Sequence, residues 1–136
     1  MANAVVKWVE GKTFLGVDST NHAVVLSSPA EGIGMKPSEL MLVALGACSS
    51  VDVVGILEKR KITLTRYEVQ LSAEQDENPP WTFRKIHMKY ILAGKDLNEN
   101  DVAKAIELSE GKYCSVAATL KGKAEITTEY VIESGD

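Results

Sequence analysis

Between Leu40 and Leu57 this 136-residue chain carries a single charge, Asp52, in an otherwise apolar or small-residue run. Pro37 opens a helix ahead of that run, in the first-turn position where its missing N–H costs nothing. Glu39 in the first turn suits the positive end of the helix dipole, and Lys59, Arg60 and Lys61 suit the negative end. A helix from Pro37 to about Arg60 is roughly 36 Å long at 1.5 Å per residue. Leu40, Met41, Leu42, Val43, Leu45, Val51, Val53, Val54, Ile56 and Leu57 leave it no broad polar face, so it must be covered on all sides. A bilayer is rejected as the cover: Asp52 would be expensive near its centre, and the flanking segments read as ordinary soluble elements. One small sheet covers one side only. The other side requires a partner subunit, so a homodimer is expected.

The flanking segments are strands and a second helix. Val5, Val6, Trp8 and Val9 precede a turn at Glu10-Gly11. Thr13 to Val17 precede another at Ser19-Thr20-Asn21, and Ala23 to Leu26 follow, which reads as a three-strand meander. After the long helix, Tyr67, Val69, Leu71 and Ala73 alternate with Arg66, Glu68, Gln70, Ser72 and Glu74. Ile86, Met88, Tyr90 and Leu92 then alternate with Lys85, His87 and Lys89, giving two half-buried antiparallel strands. Asn98 is placed as an N-cap with Asp101 at N3, Leu97 and Val102 form a staple, and Gly111 is the expected stop. A short apolar turn, Val116 to Leu120, leads to a last strand with Ala124, Ile126, Thr128, Tyr130 and Ile132 on its inner face. The order predicts an α+β fold of antiparallel strands packed on a long buried helix, in one domain spanning residues 1–136.

A net charge of −4 argues against nucleic acid as a partner, which calls for a basic stripe. The first ten residues lack the basic start and apolar run of a signal peptide, so the expected location is the cytoplasm. In that reducing compartment Cys48 and Cys114 are not a permanent staple. They are packed core residues, metal ligands or redox groups.

Cys48 lies in the middle of the long helix and reads either as a small buried hydrophobe or as a reactive thiol. Cys114 follows a helix end and opens a short helical turn near Lys112. That setting lowers a thiol pKa, although a packed thiol is an equal reading. No C-x-x-C is present, and His22 and His87 are not at ligand spacing from either cysteine, so no metal or other cofactor is expected. Asp52, one turn after Cys48, reads as a buried acid paired with Lys or Arg, or capping nearby backbone. A carboxylate there would raise the thiol pKa.

Met35-Lys36-Pro37-Ser38-Glu39-Leu40 followed by Ala44-Leu45-Gly46-Ala47-Cys48 resembles the signature of the OsmC/Ohr family. Tyr113-Cys114-Ser115 resembles the site of that family's second cysteine, and the order of elements is similar over the whole chain. The resemblance implies an intertwined homodimer with active sites at the subunit interface, and reduction of small organic hydroperoxides. Cys48 would attack the peroxide and become a sulfenic acid, Cys114 would resolve it as a disulfide, and an external dithiol would reset the pair. Family peroxidases also carry a Glu directly after the Pro and an Arg in the N-terminal half. Here Ser38 follows Pro37, Glu39 comes one residue later, and no Arg precedes Arg60. The chain therefore resembles a subgroup lacking the usual activating pair, with Glu39 as the nearest candidate carboxylate. The alternative is a non-catalytic member binding a small apolar or thiol ligand at the dimer interface.

Overall fold

The computed structural model describes residues 2–134, which divide into two compact units with a boundary between Leu42 and Val43, inside the long helix. In the first unit β1 (Ala4–Glu10), β2 (Thr13–Asp18) and β3 (Ala23–Ser27) form an antiparallel sheet in that order. The first turn places Gly11 at φ +51°, a left-handed conformation that glycine adopts without strain. The second is held by the Asp18 carboxylate, which accepts from the N–H groups of Thr20 and His22 at 3.0 Å each. All seven residues of β1 are exposed, Val5, Val6, Trp8 and Val9 among them. A cleft of about 420 Å³ lined by Val6, Val17, Val24, Leu26 and Leu40 lies against this sheet.

Helix α1 runs Pro37–Lys59, as the apolar run and the Pro37 start predict. By length and composition it could cross a membrane. Within the second unit, however, it is a core helix: Leu45, Ser49, Val53 and Leu57 recur every four residues and are buried, while Val43 and Val51 on its other faces are exposed. Gly46 lies under Leu71, where a Cβ would come within 2.8 Å of that side chain.

The second sheet has the order β4 (Thr63–Gln75), β5 (Phe83–Lys95), β6 (Glu125–Ile132). Strand β4 pairs antiparallel with β5, setting Val69 opposite Tyr90 and Leu71 opposite Met88. Ile86, Met88, Tyr90 and Leu92 are buried on the central strand. The expectation of antiparallel strands fails at one ladder. β6 runs parallel to β5, with Tyr90 opposite Tyr130, because the helical segment between them carries the chain back across the sheet before β6 begins. Helix α2 (Glu99–Leu108) starts as expected, with Asn98 Oδ1 accepting the Asp101 N–H at 2.9 Å. It does not stop at Gly111. The chain widens into one π turn, Ser109–Tyr113, closed by the Cys114 N–H donating to the Ser109 carbonyl at 2.8 Å. Gly111 sits inside that turn and is not left-handed. Helix α3 (Ser115–Leu120) follows directly.

Candidate functional site: a thiol pair at the start of a short helix

Cys114 is the N-cap of α3, extended at φ −78° and ψ 106°, and its sulfur accepts the Ala117 N–H at 3.4 Å. Cys48, on α1, faces the start of the same helix. Its sulfur lies 4.0 Å from Ser115 Oγ and interacts with the Val116 and Ser115 N–H groups and with the Cys114 thiol. Residues 66 positions apart in the chain thus share one short helix start. Both cysteines are free, Cys48 half-buried and Cys114 buried.

The environments separate the two ionisations. Burial pushes the Cys48 thiol up. The Val116 N–H, the Cys114 thiol, and the hydroxyl and N–H of Ser115 together outweigh it, and the net is below the ordinary thiol value. Burial also pushes the Cys114 thiol up, and there it prevails. The Ala117 and Val116 N–H groups offset it only in part, and the neighbouring Cys48 adds to the rise. Of the two readings the sequence left open for Cys114, a thiol lowered by its helix start or a packed one, the packed one fits its surroundings. Its position at a helix start gives it one N–H contact but also shuts it away from water. The Lys112 ammonium lies over the Tyr113 ring at 5.3 Å. Cys48 takes up the first N–H groups of a helix other than its own.

Beneath the thiols lies a polar network absent from the sequence reading. Tyr90 Oη is 2.5 Å from Ser49 Oγ, and Ser109 Oγ donates to Asp52 Oδ2 at 2.9 Å while lying 3.2 Å from Ser49 Oγ. Tyr67 Oη donates to Ser50 Oγ at 3.0 Å, and its ring meets Tyr90 edge-on. Burial raises the pKa of both tyrosines, which remain neutral donors. Asp52 therefore meets a serine hydroxyl, not the Lys, Arg or backbone group expected for it. The only hint in the sequence was Ser49-Ser50 in an otherwise apolar stretch. A cleft of about 430 Å³ runs along α1 from Asp52, lined by Val51, Ile56, Lys59, Leu108 and Tyr113.

Glu39 lies in the first turn of α1. It pairs with Lys36 at 2.9 Å and precedes Cys48 by nine residues on α1. That separation is about 13 Å of rise and half a turn around the helix. His22 and His87 are engaged elsewhere, with Thr20 and Thr127. Among the described residues no three His, Cys, Asp or Glu side chains are placed to hold a metal.

The family model for OsmC-like proteins matches residues 30–129. Protein YhfA of Escherichia coli (strain K12) is 40% identical over 129 residues, covering 95% of this chain and 96% of its own. A hypothetical protein from Aquifex aeolicus VF5 superimposes with a TM-score of 0.83 at 28% identity, over 98% of both chains. The organic hydroperoxide resistance protein OhrB of Bacillus subtilis superimposes with a TM-score of 0.63 at 17% identity, over 96% of this chain and 98% of its own, a likeness of fold.

Proposed function

The chain belongs to the OsmC-like protein family, and from that premise we propose that it is a thiol-dependent redox protein reducing small organic hydroperoxides. The observation that carries the reading is the split between the thiols. The accessible Cys48 is shifted toward thiolate, and the adjacent buried Cys114 is held as a thiol. Attack needs the first and resolution needs the second. The Cys48 thiolate takes the terminal oxygen of the hydroperoxide. The O–O bond breaks, Cys48 becomes a sulfenic acid, and the alkoxide leaves as an alcohol after taking a proton. Cys114 then displaces water from the sulfenic sulfur, forming the Cys48–Cys114 disulfide. An external dithiol returns two electrons and two protons.

The family resemblance and the exposed apolar faces of β1 and α1 support a homodimer. The two cysteines suit the reducing cytoplasm. The apolar walls of the Asp52 cleft would take the organic part of the peroxide. They also suit the second reading, a carrier of a small apolar or thiol ligand with no turnover.

The test is a titration of fully reduced protein with cumene hydroperoxide, following free thiols and intact mass. Loss of both thiols with one equivalent, and a mass lower by two hydrogens, is the expected result. Thiols that persist through excess peroxide would overturn the peroxidase reading and leave ligand binding.

A further inference from the structure

A buried hydroxyl beneath the thiol pair takes no part in the chemistry above. Ser109 is 0% exposed. Its Oγ donates to Asp52 Oδ2 at 2.9 Å and lies 3.2 Å from Ser49 Oγ and 3.4 Å from the Ser49 carbonyl. Ser49 is the residue after Cys48, and Asp52 is one helical turn beyond it. The Ser109 carbonyl accepts the Cys114 N–H at 2.8 Å, the bond that closes the π turn. One residue is thus tied by its side chain to the helix of the first thiol and by its backbone to the second cysteine.

The turn has few other anchors. A Cβ at Gly111 would meet nothing within 4 Å, and Tyr113 and Lys112 are exposed at the surface. Lys121 Nζ donates to the Glu110 carbonyl at 2.8 Å, a contact at the exposed side. The buried end is held by Ser109, through a hydrogen bond to a carboxylate, the stronger kind. Disulfide closure is demanding in geometry, with Cβ atoms about 3.5–4.5 Å apart. Two cysteines on separate elements meet that demand only if the elements are locked together.

We propose that Ser109, acting through Asp52 and Ser49, is the positioning residue that holds the Cys114 turn against α1 for closure of the Cys48–Cys114 disulfide. The proposal rests on the redox reading of the two thiols, but it concerns closure and not attack on peroxide. The π turn supplies the geometry. Its wider closure brings the Ser109 side chain onto α1 while delivering Cys114 to the start of α3.

The test is equilibration of the protein with mixtures of reduced and oxidised glutathione, with no peroxide present. Oxidised glutathione takes two electrons and two protons from Cys48 and Cys114 and leaves as two reduced molecules. The position of equilibrium measures how well one thiol is presented to the other. Ser109→Ala and Asp52→Ala are each expected to lower the equilibrium constant for the internal disulfide about tenfold. For this two-electron couple that is a potential about 30 mV less reducing. Asp52→Asn keeps an acceptor oxygen for Ser109 and is expected to stay within about threefold of the parent protein. Asp52 is half-buried, so the Asp52→Ala and Asp52→Asn pair decides the matter even if Ser109→Ala does not fold. An unchanged or raised constant in both alanine variants overturns the proposal. So does an Asp52→Asn protein that falls as far as Asp52→Ala, since charge and not the bond would then be responsible. A parent protein that never closes the disulfide in glutathione overturns it as well. A parent that closes it in glutathione but ignores peroxide refutes the peroxidase reading alone.

Discussion

Tyr90→Phe isolates one bond of the network under the thiols. Tyr90 is 1% exposed, and its ring packs edge-on to Tyr67 at 6.5 Å between centroids, a contact that Phe retains. What is lost is the 2.5 Å hydrogen bond to Ser49 Oγ and a 3.9 Å contact to Met88 Sδ. Ser49 Oγ keeps Ser109 as a neighbour at 3.2 Å, so the site loses one bond without stranding its partner. A single neutral hydrogen bond is worth about 1–1.5 kcal/mol net. With an unfolding entropy of about 2.1 cal/mol/K per residue, a 136-residue chain changes its Tm by about 3–4 °C per kcal/mol. The expected loss is therefore about 3–6 °C, read by circular dichroism on reduced protein at one fixed concentration, because association also shifts Tm. Ser49→Ala alone and the double variant close the cycle, with a coupling of about 1 kcal/mol expected. Additive effects would refute the bond. A loss above about 12 °C would mean that the ring itself had moved.

Alkylation of Cys48 should rise with pH through a midpoint below that of an ordinary exposed cysteine measured alongside it, because only the thiolate reacts. Cys114→Ala removes one of the groups that lower the Cys48 pKa, so the midpoint should move to higher pH and the rate at pH 7 should fall. A midpoint that stays put would remove Cys114 from the account. Gly94→Ala would place a Cβ 2.5 Å from the Thr63 carbonyl oxygen and 3.0 Å from Leu64 Cα, both backbone atoms that cannot swing aside. A cost of about 1–3 kcal/mol in urea unfolding is expected, whereas Gly111→Ala, with nothing within 4 Å, should be neutral or slightly stabilising. Equal effects at the two glycines would refute the packing argument.

Local chemistry made much of this molecule legible in its sequence. Pro37 and the apolar run defined α1, period-two alternation marked β4 and β5, and the Asn98 and Asp101 pairing marked the start of α2. These features depend on residues within a turn or two of one another, so spacing carries them. The two cysteines could be singled out by elimination, and the family resemblance gave them roles. Their environments could not be read from the chain. Cys48 draws its N–H donors from Ser115 and Val116 on a distant segment, and Cys114 is buried by the packing that delivers it. The parallel pairing of β6, the π turn in place of a stop at Gly111, and the Ser109–Asp52 bond were likewise decided by tertiary structure. Sequence alone determined which segments are helix and strand and which two thiols are available. Only the packing of α1 against the start of α3 decided that the Cys48 pKa falls while that of Cys114 rises, because a pKa depends on the groups nearest in space.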